Sequence, residues 1–435
     1  RQILGRAYAT LAIENGKNNI GVGRDCRLSS ESYSKAFAKG LSEGGIDVTL
    51  TGMGPTPQLY FSIVHLNLGG GIQVTGSHNP PDMNGFKLCI GRHTLSGDEI
   101  QDLYKRVQKV LENPAPAEKK GEIKEVLTRD PYIKDLVANS KEHIGKKKLK
   151  VVVDGGNGVG GLVGPEVLRQ LGLEVIELYT EPDGRFPNHH PDPTVLKNLK
   201  DLIAKVKETG ADCGIGWDGD ADRIGVVDEK GEVIFGDMLL LIYAREILKT
   251  VPGATIVGDV KCSSRLFDDL NSKGANAIMW KTGHSLIKNK LHETKGALGG
   301  EMSGHIFFSN RFYGFDDALY ASSRFVEILS NTDKKASELL ADLPKMISTP
   351  EIRTDCPEEI KFKIAEEAKK VFSKYKVDTI DGVRVTFDHG WALVRASNTQ
   401  PVLVMRFEAE NEKYLNEYQE LVSQKVEEIK ASLQK

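Results

Sequence analysis

The strongest constraint on the fold is a unit that occurs three times. The stretches NIGVGRDCRLSSESYSKAFAKGLSEGGIDVTLTG, LKVVVDGGNGVGGLVGPEVLRQLGLEVIELYT and ATIVGDVKCSSRLFDDLNSKGANAIMWKTGHS each open with a short apolar run that ends at an aspartate: Asp25, Asp154 and Asp259. A polar loop follows, and then a segment with helical spacing, such as Phe37 and Leu41, or Val167, Leu168 and Leu171. A glycine (Gly44, Gly172 or Gly274) stops the helix, and a second apolar run begins. Near-continuous apolar strands flanking an amphipathic helix are the pattern of strands covered on both faces, so each stretch reads as strand, loop, helix, strand. A crossover of this length pairs its strands in parallel and with right-handed connection. The repeat predicts related α/β units rather than one continuous sheet.

Breaks in composition divide the chain. ENPAPAEKKGE (112–122) reads as a linker-like loop before the helix that RDPYIKDL begins, and DLPKMISTPEI (342–352) interrupts the pattern again. Beyond it the pattern changes: TIDGVRVTFDHGWALVRAS alternates about Asp-Gly and His-Gly turns, PVLVMRFEAE is a further strand, and EKYLNEYQELVSQKVEEIKASL is a charged amphipathic helix. The expected architecture is three related βαβ-type mixed-sheet α/β domains, over 1–127, 128–232 and 233–345, plus a smaller C-terminal α+β domain over 346–435, around a central cleft. A hinge near 342–352 would let that cleft close. At the start, Ile3, Leu4, Ala7 and Leu11 have helical spacing.

Bulk properties exclude several classes of partner. A net charge of -3 over 435 residues gives no electrostatic argument for nucleic acid or an anionic membrane. The densest basic run, KKKLK (146–150), leads straight into an apolar strand and reads as a solvated lead-in. No stretch approaches the ~20 apolar residues of a membrane span, and no secretory signal is visible at the start. The cysteines (Cys26, Cys89, Cys213, Cys262, Cys356) are odd in number, far apart and in no CxxC pair. That usage suits a reducing cytoplasm and argues against a disulfide framework or a zinc site.

Four loops carry residue types suited to chemistry. In WDGDADR, Asp218, Asp220 and Asp222 alternate, so their carboxylates can converge on one hard cation. The order is that of an EF-hand, and Glu229 falls at the twelfth position, but Arg223 stands where the EF-hand turn needs glycine and the flanks read as strands. The pattern points to Mg²⁺ whose remaining ligand is a phosphate oxygen. In GEMSGH, Glu301 and Ser303 offer acceptors for hydroxyl groups and His305 a proton relay; the same residues would also make a turn with a satisfied histidine. RASNTQP (395–401) gathers a guanidinium, two hydroxyls and an amide able to donate to a tetrahedral oxyanion, or to cap a hairpin turn. In TGSHNP, Ser77 lacks the G-x-S-x-G elbow, and Lys87 is ten residues on, too far for a Ser-x-x-Lys pair. A serine that carries a phosphoryl group needs a metal and a donor instead of a triad.

Together TGSHNPPDMNGFK, DGDADR, GEMSGH and RASNTQP, in that order, resemble the α-D-phosphohexomutase superfamily, and most closely its bacterial phosphomannomutase/phosphoglucomutase members. PTPQLY, DGGNGVGG, FPNHHPDP, DVKCSSR, MWKTGHSLIK and GFDDALYASSR extend the resemblance along most of the chain. It implies a phosphoserine at Ser77, with Asp218, Asp220, Asp222 and the Ser77 phosphate holding Mg²⁺. It implies Lys87 and His305 as acid/base groups, with Arg223 in the catalytic set. Glu301 and Ser303 would recognise sugar hydroxyls, and His78, Lys261 and His284 would line the cleft. Arg395, Ser397, Asn398 and Thr399 would hold the non-reacting phosphate. The implied reaction moves a phosphoryl group between the 1- and 6-positions of a hexose phosphate, mannose and/or glucose, through a 1,6-bisphosphosugar that also serves as activator. The chain is expected to work as a cytoplasmic monomer, with a dimer as the alternative. The rival readings are a phosphoglucosamine mutase, a phosphosugar-binding protein without turnover, and a Mg²⁺ phosphatase with an aspartate nucleophile.

Two departures from the family pattern stand out. Members usually begin with a strand carrying an arginine and a tyrosine; here RQILGRAYATLAIENG is already the helix that follows it, so that strand is expected to be absent from this chain. Ala221 stands where glycine is common and is expected to change little. In FPNHHPDP the adjacent histidines, His189 and His190, diverge between prolines, so a rigid connecting loop is expected rather than a metal site.

Overall fold

The computed structural model describes residues 1–113, 116–397 and 400–433. Each of the three repeats opens a separate sheet. In the first, Asn19–Arg24 pairs in parallel with Asp47–Met53 across the helix Ser30–Glu43. In the second, Lys150–Asp154 pairs in parallel with Glu174–Leu178, and in the third Thr255–Asp259 with Asn276–Trp280. The glycine stops behave as expected for two of the three helices: Gly172 and Gly274 are left-handed, with φ of 94° and 79°. At the first, Gly44 is the C-cap at φ -84°, and the left-handed residue is Gly45.

The sheets share more than the repeated unit. On its other side, each opening strand pairs in parallel with a third strand: Gly70–Thr75, Cys213–Trp217 or Leu298–Gly300. Each third strand then pairs antiparallel with the next one along the chain: Gly85–Ile90, Ile224–Asp228 or Ile306–Phe308. The sheets are therefore mixed, and the turn between third and fourth strands recurs at an equivalent place in all three. The fourth sheet is the expected meander, with Lys376–Asp378, Val383–Phe387, Gly390–Ala396 and Val402–Ala409 antiparallel in succession and Ile352–Asp355 pairing on the last of them. The helices Glu358–Val371 and Glu412–Leu433 pack against it.

The interior ties the units together. One apolar cluster runs from Tyr60 and Phe61 in the first unit, through Trp217 and Ile224, to Phe308 and Phe325 in the third. Trp217 also donates its indole N–H to Ser322 Oγ at 2.9 Å, across the second and third units. The C-terminal unit keeps a core of its own around Ile364, Phe407 and Val422. Three units are thus fused by shared burial, and the fourth, with its own core, meets the third through a smaller apolar cluster of Val260, Trp391 and Leu393. Among the described residues no helix is long and apolar enough to cross a membrane, and all five cysteines are unpaired.

Candidate active site

The candidate residues gather at the turn between third and fourth strands. It holds Ser77 in the first sheet, Asp218 to Arg223 in the second and Glu301 to His305 in the third. Each follows the C-terminal end of a strand in a parallel set, the edge where open α/β sheets place their ligands. The repeat thus delivers three loops to one locus.

Ser77 Oγ donates to Asp218 Oδ2 at 2.9 Å and lies 3.2 Å from His78 Nδ1. Its backbone is left-handed (φ 48°), which costs a side-chain-bearing residue roughly 1–2 kcal/mol. Gly219 lies directly over the Ser77 carbonyl, where no side chain would fit. Burial and the nearby charge of Arg223 hold the His78 ring neutral, its pKa pushed down to about 3. It therefore meets the serine as an uncharged group.

Asp218, Asp220 and Asp222 are fully buried, with ligand-capable oxygens all within 4.8 Å of one another. Main-chain bonds from all three fused units pin their loop: Thr56 N–H to Asp220 O (2.9 Å), Val159 N–H to Gly219 O (3.1 Å) and Ala318 N–H to Ala221 O (3.3 Å). Ala221, read from sequence as a change of little consequence, adopts φ 56°, so alanine bears here a left-handed strain that glycine would not. Asp218 Oδ1 accepts the N–H groups of Asp222 and Arg223, each at 3.1 Å. Lys87 Nζ bridges Asp220 Oδ2 at 2.7 Å and Asp222 Oδ2, and Thr56 Oγ1 also donates to Asp220. Asp220 Oδ1 has no hydrogen-bond partner, and Asp222 Oδ1 has none closer than His305 Nε2 at 3.3 Å.

Buried carboxylate oxygens without donors, in an all-oxygen set, fit a hard divalent cation. Burial, and then the neighbouring Asp220 and Asp222, push Asp218 well above the usual carboxylate range. Burial opposes ionisation of Asp222 too, but Lys87 and His305 outweigh it and hold Asp222 well below that range. Lys87 is held as a cation: Asp220 and Asp222 overcome the cost of burying it. A second buried group, Asp222, His305 and Asp316, already carries Lys288 Nζ on Asp316 Oδ1 at 2.9 Å.

The loop from Glu301 to His305 is stitched to the aspartate loop. Ile224 N–H donates to Gly304 O at 3.0 Å, and Arg223 Nε lies 3.3 Å from His305 Nε2. His305 Nδ1 sits 2.9 Å from Glu301 Oε2 and 3.1 Å from Ser303 Oγ, while Glu301 Oε1 accepts the Gly283 N–H at 2.6 Å. Burial and Arg223 work against a charged His305, but Asp222 and Glu301 prevail and raise it to about 9. Burial likewise opposes ionisation of Glu301, and His305 outweighs it and holds the carboxyl at about 2. A histidine raised above its unfolded 6.5 stabilises fully below pH 6.5 and loses that contribution as pH rises through 9; the depressed Glu301 loses its own only below its unfolded 4.5. Melting temperature is therefore expected to fall between pH 6.5 and 9 through this pair. His305→Gln should flatten the fall, and an identical slope in the variant would refute the assignment.

Of the remaining predicted residues, His284, Lys261 and Arg395 connect to these loops through partners. His284 Nδ1 lies 3.6 Å from Asp316 Oδ2, and its ring centroid is 5.6 Å from that of His305. Lys261 Nζ is 2.6 Å from Glu351 Oε1 and 3.8 Å from Asp259, whose Oδ1 accepts Met302 N–H at 3.2 Å. Arg395 Nε donates to Asp381 Oδ2 (3.0 Å), which also accepts Thr282 N–H (3.0 Å), next to the Gly283 that touches Glu301. Ser397 N–H donates to Val402 O and its Oγ accepts Gln400 N–H at 3.2 Å. Asn398 and Thr399 lie outside the described residues.

His189 contacts Asp154 at 3.0 Å and the His190 carbonyl, in keeping with a connecting loop. Arg27, Thr56, Lys288, Asp316, Asp381 and Glu351 were not singled out as site residues from the sequence; each meets the site loops or their partners across a long sequence separation. A hollow of about 530 Å³ between the helices Gln2–Glu14 and Asp98–Glu112 is lined by Leu11, His93, Leu95 and Asp102 among others, and none of the loop residues borders it.

The sequence matches four family profiles in order. Three are described as phosphoglucomutase/phosphomannomutase, alpha/beta/alpha domains I (2–114), II (130–231) and III (235–347), and the fourth as its C-terminal domain (351–425). A Pseudomonas putida protein named phosphomannomutase/phosphoglucomutase is 46% identical over 433 residues, 99% of this chain and 92% of the relative. A Neisseria meningitidis phosphoglucomutase is 44% identical over 414 residues, 94% of this chain and 89% of the relative. The crystal structure of a phosphoglucomutase/phosphomannomutase family protein from Burkholderia thailandensis superposes with a TM-score of 0.91 at 41% identity, covering 99% of this chain and 93% of the other.

Proposed function

The chain belongs to the phosphoglucomutase/phosphomannomutase family, and from that premise we propose that it is a hexose phosphate mutase working through phospho-Ser77 and a 1,6-bisphosphosugar. The observation that carries the reading is Ser77 Oγ at 2.9 Å from Asp218, on the edge of three buried aspartates with undonated oxygens.

In the forward half, the free hydroxyl of a hexose monophosphate attacks the phosphorus on Ser77. A sugar O–P bond forms, the Ser77 O–P bond breaks, and a 1,6-bisphosphosugar results. The sugar then turns about within the cleft, and Ser77 Oγ takes the other phosphoryl group. Catalysis of this kind is positioning and charge neutralisation. Arg223 supplies fixed positive charge near the serine, and Lys87 and His305 are the proposed proton donors and acceptors at the reacting oxygens. Asp218, Asp220 and Asp222, with the Ser77 phosphate, are the proposed holders of Mg²⁺, which when bound neutralises charge on the transferred phosphoryl group. Glu301 and Ser303 are assigned to sugar hydroxyls, and His78, Lys261 and His284 to the cleft walls. Arg395, Ser397, Asn398 and Thr399 are assigned to the far phosphate. Domain limits of 1–127, 128–232, 233–345 and 346–435 put one such loop in each unit.

Recognition by hydrogen-bonding loops, rather than by a shaped apolar pocket, is what a sugar bound two ways round demands. The test is isomerisation of glucose 1-phosphate and of mannose 1-phosphate with Mg²⁺ and a 1,6-bisphosphosugar activator. Formation of the 6-phosphates is expected; release of inorganic phosphate without isomer would overturn the reading in favour of a phosphatase.

A further inference from the structure

Arg27 lies just past the strand Asn19–Arg24, and its side chain is sealed from solvent. A buried guanidinium carries five N–H donors in one plane and must find acceptors for them. Four acceptors come from the main chain of a single loop. Nη2 donates to Ser77 O at 2.8 Å and Asn79 O at 2.6 Å, and Nη1 donates to Met83 O at 3.0 Å and to Pro80 O. The Asp25 carboxylate stands 3.2 Å from Nε and balances the charge. Phe186, reaching over from the second unit, covers the guanidinium with its ring centroid 5.0 Å from Cζ. Two glycines make the room: a Cβ at Gly76 would meet Arg27 Cζ at 2.5 Å, and one at Gly184 would meet Arg27 Cα at 2.6 Å. Between Thr75 and Gly85 the chain has neither helix nor strand. The loop curls around this cation instead.

We propose that Arg27 is the positioning residue for the phosphoryl-carrying serine. It touches no reacting atom. By holding the Ser77 carbonyl it keeps the residue in its left-handed conformation, and so sets the line along which Oγ meets Asp218. The inference rests on the function proposed above. Its chemistry requires arginine, because an ammonium offers three donors about a point and does not span four carbonyls in a plane. Loss of the clamp displaces the serine without removing any group assigned to the sugar, so the cost falls on turnover rather than on binding.

The test uses full-length Arg27→Lys and Arg27→Ala, each incubated with glucose 1,6-bisphosphate and Mg²⁺ and assayed on glucose 1-phosphate alongside the unaltered enzyme. The expected kcat is about tenfold lower for Arg27→Lys and about a hundredfold lower for Arg27→Ala, with KM within about twofold of the original. Added guanidinium ion should restore part of the Arg27→Ala loss, and methylammonium should not. Should Arg27→Ala fail to fold, Arg27→Lys and Phe186→Leu, which uncovers the guanidinium while leaving its donors in place, carry the test. Unchanged kcat in these two, or a loss confined to KM, overturns the inference. An unaltered enzyme without mutase activity overturns the proposed function instead.

Discussion

Ser77→Ala is expected to lower isomerisation of glucose 1-phosphate by about 10⁵-fold or more, the scale seen when a nucleophile is removed outright. The reason lies in how the loop is built. Nothing else in the described site is a hydroxyl set against the aspartates in this way: Ser77 Oγ is bonded to Asp218 at 2.9 Å, while Thr56 Oγ1 is spent on Asp220 and Ser303 Oγ faces His305 at 3.1 Å. Alanine deletes the phosphoryl acceptor and little more. The loop keeps its shape, because Arg27 holds it through carbonyls and the left-handed strain is the same for alanine as for serine. The melting temperature should therefore stay within a few degrees, and affinity for a bisphosphosugar should persist. Intact-mass measurement after incubation with glucose 1,6-bisphosphate should show the unaltered enzyme gaining one phosphoryl group and the variant none. A variant that keeps one-hundredth of the original rate would end the role assigned to Ser77.

The sequence was most informative where chemistry needs several residue types in a row. Asp218, Asp220 and Asp222 had to alternate to face one point, and they do, so a short window revealed the cluster. The βαβ repeat was legible for a similar reason, since apolar runs and glycine stops are local. What the window could not show is that the three loops occupy one equivalent turn. That follows from strand pairing, in which Gly70–Thr75, Cys213–Trp217 and Leu298–Gly300 each join an opening strand from the side away from its crossover. The supporting residues were hidden for the same cause. Arg27 meets Ser77 across 50 positions and Thr56 meets Asp220 across 164, and no spacing rule reaches that far. Ala221 shows the opposite limit: its residue type was noticed, but its cost depends on a φ of 56° that only the folded loop reveals.

Binding of Mg²⁺ and phosphorylation of Ser77 are expected to reinforce each other, and Asp220→Asn to lower activity by about 10³-fold by breaking that link. Burial and the neighbouring Asp220 and Asp222 already hold Asp218 well above the usual carboxylate range, so further negative charge at this point is opposed even with Lys87 and His305 at hand. A phosphoryl group on Ser77 adds about -1.5 to -2 next to an Asp218 that already touches the serine oxygen. At an effective dielectric constant of 20, two unit charges 4 Å apart interact by about 4 kcal/mol, so an uncompensated phosphate there would be strongly disfavoured. A divalent cation supplies that compensation. By reciprocity, whatever the ion gains from the phosphate, the phosphate gains from the ion. Titration calorimetry should therefore give a Mg²⁺ Kd at least about tenfold lower for the phosphorylated enzyme than for the dephosphorylated one, a difference of about 1.4 kcal/mol. Asp220 is the position at which to break the coupling: its Oδ1 has no donor, and an amide in its place removes one charge while setting N–H groups near Lys87. In Asp220→Asn the two forms should bind Mg²⁺ with similar, weak affinity, and added Mg²⁺ should no longer raise the melting temperature. Equal Mg²⁺ affinity of both forms in the unaltered enzyme would show that the ion and the phosphate do not share this site.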